Sequence, residues 1–323
     1  MKIPRRAFLQ MAAVATALPV APRIASALDY PTRPVHLVVG FPAGSSPDIV
    51  ARLIGHWLST RLGQQFVVEP TPGAASNIGT EKVVQAAPDG YTLLLMTAAN
   101  TINASLYRHL DFNFQRDIAP VGMIGAVPFV MEVNPTFPAK TIPEFVKFAK
   151  ANPGKVIFAS HGVGTATHVF GALFEMMTGV SLLHVPYRGS YMPDLLSGRV
   201  QAVFDPLPQA ISYIRTGKLR ALAVTTTTSV NVLPSVPTLD QFVPGYAASG
   251  WLGVGAPKNT APEVVDKLNK EINAALNDAS FKSQLSGLGV DPTSMTPAAL
   301  EKFIADETKK WRKVVKFASI KPA

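Results

Sequence analysis

The sequence predicts an α/β fold of mostly parallel sheets flanked by helices, arranged as two lobes with a ligand cleft between them. Three observations predict it. Short continuous apolar runs alternate with longer segments of helical period, the rhythm of βα units around buried parallel strands. Twice, a β-branched and aliphatic run ends in a glycine- and hydroxyl-rich loop that opens a helix. These are Val35 to Gly40 before Phe41-Pro42-Ala43-Gly44-Ser45-Ser46-Pro47-Asp48, and Val156 to Ser160 before His161-Gly162-Val163-Gly164-Thr165-Ala166-Thr167-His168. Finally, the chain makes one α/β unit, crosses to a second near Val127 and returns near Gly245, which gives two lobes joined by two crossings. The expected boundaries are an export signal over 1–27, a first lobe of 28–127 plus 245–323, and a second lobe of 128–244.

The N-terminus carries Pro4-Arg5-Arg6-Ala7-Phe8-Leu9, an alanine-rich apolar stretch to Val20, and Ala25-Ser26-Ala27 in the small-x-small form of a signal-peptidase site. It reads as an export signal with a twin-arginine n-region. The apolar stretch is too short, and too interrupted by Pro19, Pro22 and Arg23, to span a bilayer, which takes about 20 apolar residues. Cleavage after Ala27 removes four cations and no acid, taking the net charge from +9 to +5. That modest charge, with no basic run interleaved with aromatics, argues against a nucleic-acid partner. The absence of cysteine excludes disulfides, thiolate metal sites and cysteine nucleophiles.

The elements follow in order. Val35 to Gly40 reads as the first strand, and the next helix carries Ile49, Val50, Leu53, Ile54, Trp57 and Leu58 before stopping near Gly63, with Ser46 as its N-cap and Pro47 at N1. Phe66 to Glu69 is a strand, Asn77 to Ala87 a helix, and Tyr91 to Met96 a strand entered through the Pro88-Asp89-Gly90 turn. Val121 to Ile124 and Phe129 to Val133 are apolar runs at the first crossing, and Thr141-Ile142-Pro143-Glu144 opens a helix with capping-box spacing. After the strand Val156 to Ser160, a helix from Thr165 to Gly179 buries Val169, Leu173, Met176 and Met177. Leu182 to Val185, Val203 to Phe204 and Leu219 to Val224 complete the strands of this unit. Trp251 to Ala256 is the return strand, followed by helices over Pro262 to Leu276, Phe281 to Leu288 and Pro297 to Phe317, with Thr260 and Thr296 capping the first and third.

The two glycine loops carry the chemistry. Each leaves orphan backbone N–H groups and the positive end of a helix dipole directed at a small volume, where a carboxylate or phosphate replaces water. Competing motifs fail. Gly162-x-Gly164-x-x-Thr167 lacks the third glycine of a dinucleotide fingerprint and has no acid about 20 residues on. Gly44-Ser45-Ser46-Pro47-Asp48 has Asp48 where a nucleophile elbow needs glycine. The six histidines form no HExxH and no helical i, i+4 pair, so neither metal nor cofactor is expected. Asp48 stabilises the first turn of its helix through the dipole and holds the loop or a water in place. Arg188, in Tyr187-Arg188-Gly189, is either a surface arginine or a partner for an anionic ligand.

Taken in order, these loops resemble the Bug-type substrate-binding proteins of tripartite tricarboxylate transporters. The resemblance is carried by Pro42-Ala43-Gly44 with Asp48 and Ala51-Arg52, Pro72-Gly73 with Asn77-Ile78-Gly79, Ala87-Pro88-Asp89-Gly90-Tyr91-Thr92-Leu93, Asn152-Pro153-Gly154-Lys155, Gly162-Val163-Gly164 with His168, His184-Val185-Pro186-Tyr187-Arg188-Gly189, Gly217-Lys218-Leu219-Arg220-Ala221-Leu222-Ala223 and Leu233-Pro234-x-Val236-Pro237-Thr238. It spans essentially the whole chain after the signal. It implies a type II-like periplasmic binding protein, non-catalytic and monomeric, that holds a small carboxylate-bearing molecule and delivers it to a membrane permease. One jaw would be Phe41, Pro42, Gly44, Ser45 and Asp48, and the other Ser160, Gly162, Gly164, Thr165 and His168. Tyr187, Arg188, Gly189 and Asp205 would close the side. The chain departs from the family where Pro-Gly-Gly becomes Pro42-Ala43-Gly44, where Pro47 stiffens the loop, and where Tyr191 and Met192 make the segment after Gly189 bulky. An aromatic or more apolar acid suits these side chains as well as a dicarboxylate does. The alternatives are a hydrolase using Ser45 or Ser46, and a sensory binding protein that presents its closed state to a membrane receptor.

Overall fold

Val35–Val39 forms strand β1, an apolar run with His36 alone less than fully buried, whereas the parallel edge strands over 66–70 and 183–186 are largely half-buried or exposed. The computed structural model describes residues 29–107, 109–187 and 189–321, so the expected signal over 1–27 and the candidate Arg188 lie outside the described residues. The chain divides into two units, Met1–Tyr30 and Pro31–Ala323, and every described strand and helix belongs to the second.

In chain order the elements are β1, α1 (Ser46–Leu62), β2 (Phe66–Pro70), α2 (Asn77–Val84), β3 (Thr92–Thr97), α3 (Ala98–Leu106), α4 (Phe114–Asp117), β4 (Ile118–Val127), β5 (Phe129–Val133), α5 (Ile142–Ala151), β6 (Ile157–Ser160), α6 (Ala166–Thr178) and β7 (Leu183–Pro186). They continue with α7 (Met192–Leu196), β8 (Ala202–Pro206), α8 (Leu207–Arg215), β9 (Arg220–Val224), β10 (Gly250–Pro257), α9 (Pro262–Asn277), α10 (Ala279–Gly287), β11 (Asp291–Pro292) and α11 (Pro297–Phe317). One sheet has the order β11-β4-β10-β3-β1-β2, and the other β7-β6-β8-β5-β9.

The α/β class and its two sheets are as expected, but the sheets are mixed rather than mostly parallel. β1 runs parallel to β2 and β3, and β6 to β7 and β8. The return strand β10 enters between β3 and β4 antiparallel to both, and β5 lies between β8 and β9 antiparallel to both. A strand covered on both faces is a continuous apolar run whichever way its neighbour points, so composition does not encode the direction.

Buried apolar clusters underlie both sheets. Val38, Leu94, Met96, Met123, Trp251, Leu300 and Ile304 pack under the first. Phe129, Phe158, Phe170, Phe174 and Phe204 anchor the second. Tyr246, Ala248 and the last turns of α11, with Trp311, Val314 and Val315, also belong to the second core. Trp311 stacks on Phe170 of α6 at 5.2 Å between ring centres. The last turns of α11 thus pack against α6 while the helix also lies against α3 and β4. At 1.5 Å per residue α11 is about 30 Å long, enough to reach from one core to the other.

Local capping differs in detail. Ser45 rather than Ser46 is the N-cap of α1, and Thr260 donates to the Pro257 carbonyl while Ala261 occupies the cap of α9. Thr296 does cap α11, accepting from the Ala299 N–H. Thr141 caps α5, but the Glu144 carboxylate reaches the Lys140 N–H instead of closing the box on Thr141. Met176 and Met177 are only partly buried, at the solvent end of α6.

Candidate functional site

The first glycine loop is held by an acid. Asp48, in the first turn of α1 and almost wholly buried, accepts the Gly44 N–H at 2.9 Å and pairs with Arg52 one turn on, Nε at 2.9 Å and Nη2 at 3.1 Å. Burial alone would raise the Asp48 pKa, but the Arg52 hydrogen bond and the Gly44 N–H outweigh it and hold the carboxyl below its ordinary value. Its charge is thus committed to the loop. Gly40 at the start of this loop leaves no room for a side chain, because a Cβ there would collide with Ser76.

The second loop is held by two imidazoles. Gly164, at φ +78°, donates its N–H to His168 Nδ1 at 3.0 Å, and a Cβ at Gly164 would collide with the Leu106 side chain of α3. The His168 ring stacks on His184 of β7, 3.7 Å between centres and 7° from parallel. His184 Nε2 lies 2.7 Å from Ser160 Oγ, which also accepts the Gly162 N–H at 3.1 Å and donates to the Gly162 carbonyl at 3.0 Å. Burial, with His184 beside it, pushes His168 down to about 3, and burial pushes His184 down to about 4. Both rings are therefore neutral at physiological pH, and the accepting Nδ1 fixes His168 as the Nε2–H tautomer. The hydroxyls of Thr165 and Thr167 stitch the rest, to the Gly162 carbonyl at 2.7 Å and from the His161 N–H at 2.9 Å.

Between the loops of the two sheets lies a cavity of about 430 Å³. Four helices begin in its wall: α1 with Ser46 and Pro47, α3 with Thr97 to Ala99, α6 with Thr165 and Ala166, and α8 with Pro206, Pro208 and Gln209. Two follow strands of the first sheet and two follow strands of the second. Their N-terminal dipoles and first-turn N–H groups give the enclosed volume a positive potential without a cationic side chain. The remaining wall is largely apolar, including Phe41, Ile102, Leu106, Tyr107, Val127, Phe129, Trp251 and Leu252.

Of the residues expected at the site, Phe41, Gly164 and Thr165 line this cavity. Pro42 and Gly44 lie on the exposed outer side of the first loop, with Ser45 half-buried beside them. Asp48, Ser160, Gly162 and His168 stand outside the wall and fix the loops that form it. Tyr187 donates to Asp194 at 2.6 Å, and Gly189 is exposed, so neither closes the cavity.

Asp205 is a correction. It is fully buried on the opposite face of β8 from Phe204 and Pro206, as strand alternation requires, and accepts a short hydrogen bond from Tyr191. Its neighbour Pro206 is the residue in the wall. Asp205 shares its face with Glu132 of β5, one pair along the ladder, where Val130 opposes Asp205 and Glu132 opposes Val203. Burial, then the charge of Asp205, raises Glu132 well above its ordinary value, and burial pushes Asp205 up to about 6. Among the described residues no group of three or more acids and histidines is placed to hold a metal ion.

The sequence reading missed the starts of α3 and α8. A signal existed for the first: Thr97 and Asn100 have T-x-x-N spacing after a strand, and they form a reciprocal cap in which Asn100 accepts the Thr97 N–H at 2.8 Å. For α8, the signal was Pro208 at the second helical position directly after a strand.

Comparison with known proteins follows the same outline. The family described as the tripartite tricarboxylate transporter family receptor matches residues 50–320. The Bordetella pertussis protein BugT is 37% identical over 308 residues, covering 94% of each chain. The solved structure of R. palustris Rpa4515 with adipate superposes at a TM-score of 0.78 with 34% identity, covering 91% of this chain and all of that one. MatC from Rhodopseudomonas palustris with bound malate gives 0.73 with 28% identity, covering 88% and 100%. The chain is a Bug-type receptor, a member of the tripartite tricarboxylate transporter receptor family.

Proposed function

We propose that this receptor captures a small carboxylate-bearing molecule in the 430 Å³ cavity and presents it, chemically unchanged, to the permease of a tripartite tricarboxylate-type transporter. The observation that carries the reading is the convergence of four helix N-termini from two sheets on one enclosed volume. The relatives with adipate and malate support the ligand class. Phe41, Ser46, Gly164 and Thr165 form the wall around the bound acid, while Asp48, Ser160, Gly162 and His168 set the loops.

The two sheets define the lobes, split after Val127 and again near residue 250, with α11 spanning both. The protein works as a periplasmic monomer, exported through its twin-arginine signal. No described helix is long and apolar enough to cross a membrane. The hydrolase alternative finds little support. Ser45 Oγ is buried without a hydrogen-bond partner, and among the described residues no histidine or acid hydrogen-bonds to the Ser45 or Ser46 hydroxyl to activate it.

Micromolar affinity needs about 8 kcal/mol, within reach of several charge-assisted hydrogen bonds at about 1.5–3 kcal/mol each. Native mass spectra of the protein as purified, and thermal shifts of refolded protein against a broad panel of acids, test the reading. A released acid or a saturable shift with an acid left intact is expected. No shift with any acid, or turnover of the ligand, overturns it.

A further inference from the structure

The four helix starts are not equivalent, and their differences specify the ligand. In α1, Pro47 occupies the first turn and removes one of the N–H groups that would face an anion. In α8 the first N–H is already given to the Pro128 carbonyl, and Pro208 removes the second. In α3 the Thr97 hydroxyl takes the Ala99 N–H and the Asn100 side chain takes that of Thr97. Only α6 combines a first turn without proline with a cap residue, Thr165, whose side chain makes no capping hydrogen bond. Its hydroxyl is turned back to the Gly162 carbonyl, which leaves the Ala166 and Thr167 N–H groups for an anion.

Away from α6 the wall is mostly hydrocarbon, and its polar side chains, Ser46, Thr97, Asn103, Tyr107 and Gln209, are all neutral. Ile102, Leu106, Tyr107, Phe129 and Leu252 face the volume together with the Pro47 and Pro208 rings, and none of the described lining residues carries a charged side chain. Trp251, 1% exposed, is also in the wall, and its indole N–H has no hydrogen-bond partner. One neutral N–H suits a carbonyl, ether or hydroxyl oxygen. With only neutral hydroxyls and amides beside it and no cationic side chain, a second carboxylate would be buried without a counter-charge, at high desolvation cost.

Resting on the carboxylate-receptor reading, we infer that the ligand is a monocarboxylate with an apolar or aromatic body, its one charge at the start of α6 and the rest against the hydrocarbon wall. The cavity selects against a second carboxylate through Pro47 and Pro208, which replace N–H donors with rings at two of the four helix starts.

The test uses matched acids that differ only in the second charge, hexanoate against adipate and 4-methylbenzoate against terephthalate, with malate as a small polar diacid. Affinities are measured by calorimetry on the ligand-stripped full mature protein. The monoacid of each pair is expected to bind at least tenfold more tightly than its diacid, and Pro47→Ser to narrow that ratio by restoring a donor. Diacids that bind as tightly as their partners, or binding of malate alone, overturn the inference and leave the receptor reading standing. No binding by any of the five overturns the inference, and the broad acid panel then decides the receptor reading separately.

Discussion

His168→Gln isolates the contribution of the stacked imidazoles to the second loop. The folded His168 is held neutral down to about pH 3, whereas in the unfolded chain it takes up a proton below its ordinary value of 6.5. A depressed folded value means stability that is present above the unfolded pKa and is lost as pH falls towards the folded one. At pH 5 the unfolded imidazole is almost fully protonated and the folded one is not, so this residue alone costs about 2 kcal/mol relative to pH 7.5. The size of that loss depends on the unfolded value, because any folded pKa of 4 or lower gives nearly the same result.

Glutamine does not titrate. At pH 7.5 the variant loses the Gly164 hydrogen bond and the His184 stack, together about 1–2 kcal/mol. Urea unfolding at both pH values is the assay. The variant should be less stable than the parent at pH 7.5 and draw level with it near pH 5. A stability gap that stays the same at the two pH values, to within about 0.5 kcal/mol, would show that His168 is not held neutral in the fold.

Two further outcomes follow from the buried groups. The folded values of Glu132 and Asp205 are raised, so their contribution has the opposite sign, present below the unfolded values and lost as pH rises through about 6 for Asp205. Glu132→Gln removes one member of the acid pair, and its melting temperature should gain on the parent between pH 5 and pH 8; parallel profiles would contradict a raised Glu132 carboxyl in the fold. Trp311→Ala removes the stack on Phe170 and the bond from its indole N–H to Glu307 at 2.8 Å, and should cost about 3–5 kcal/mol in urea unfolding, against well under 1 if α11 were a peripheral appendage.

What was legible in the chain was local. The last helix was read as Pro297 to Phe317 and is found there, because proline at N1, Thr296 at the cap and a long 3.6-residue pattern all lie within its own span. Both glycine loops were legible for the same reason. The start of α3 was not, since Ala98 to Asn103 is short, polar and β-branched in turn, and only its reciprocal cap marks it. Asp205 was misplaced because the strand Val203 to Phe204 was read too short to show that its third residue alternates inward. Glu132 was missed because a charged residue in an apolar strand betrays itself only when its partner, 73 positions on in the chain, is known to share its face.

The direction of β5 and β10, and the reach of α11 into the second core, belong to the same class of non-local fact, and they are what bring the four helix starts together. Each start, read alone, is an ordinary helix N-terminus worth a fraction of a kcal/mol to an anion at a surface. Gathered around one cavity with a largely apolar wall, the same dipoles act across a lower dielectric and cost no side-chain entropy to aim, since each is fixed to the end of a buried strand. Leu106 in α3 packs against Gly164 in the second loop, a contact between the two sheets' elements that requires glycine both for its positive φ and for the missing Cβ. That glycine lies in the loop that opens α6, so the packing of α3 on the loop and the aim of the α6 N–H groups depend on the same few residues.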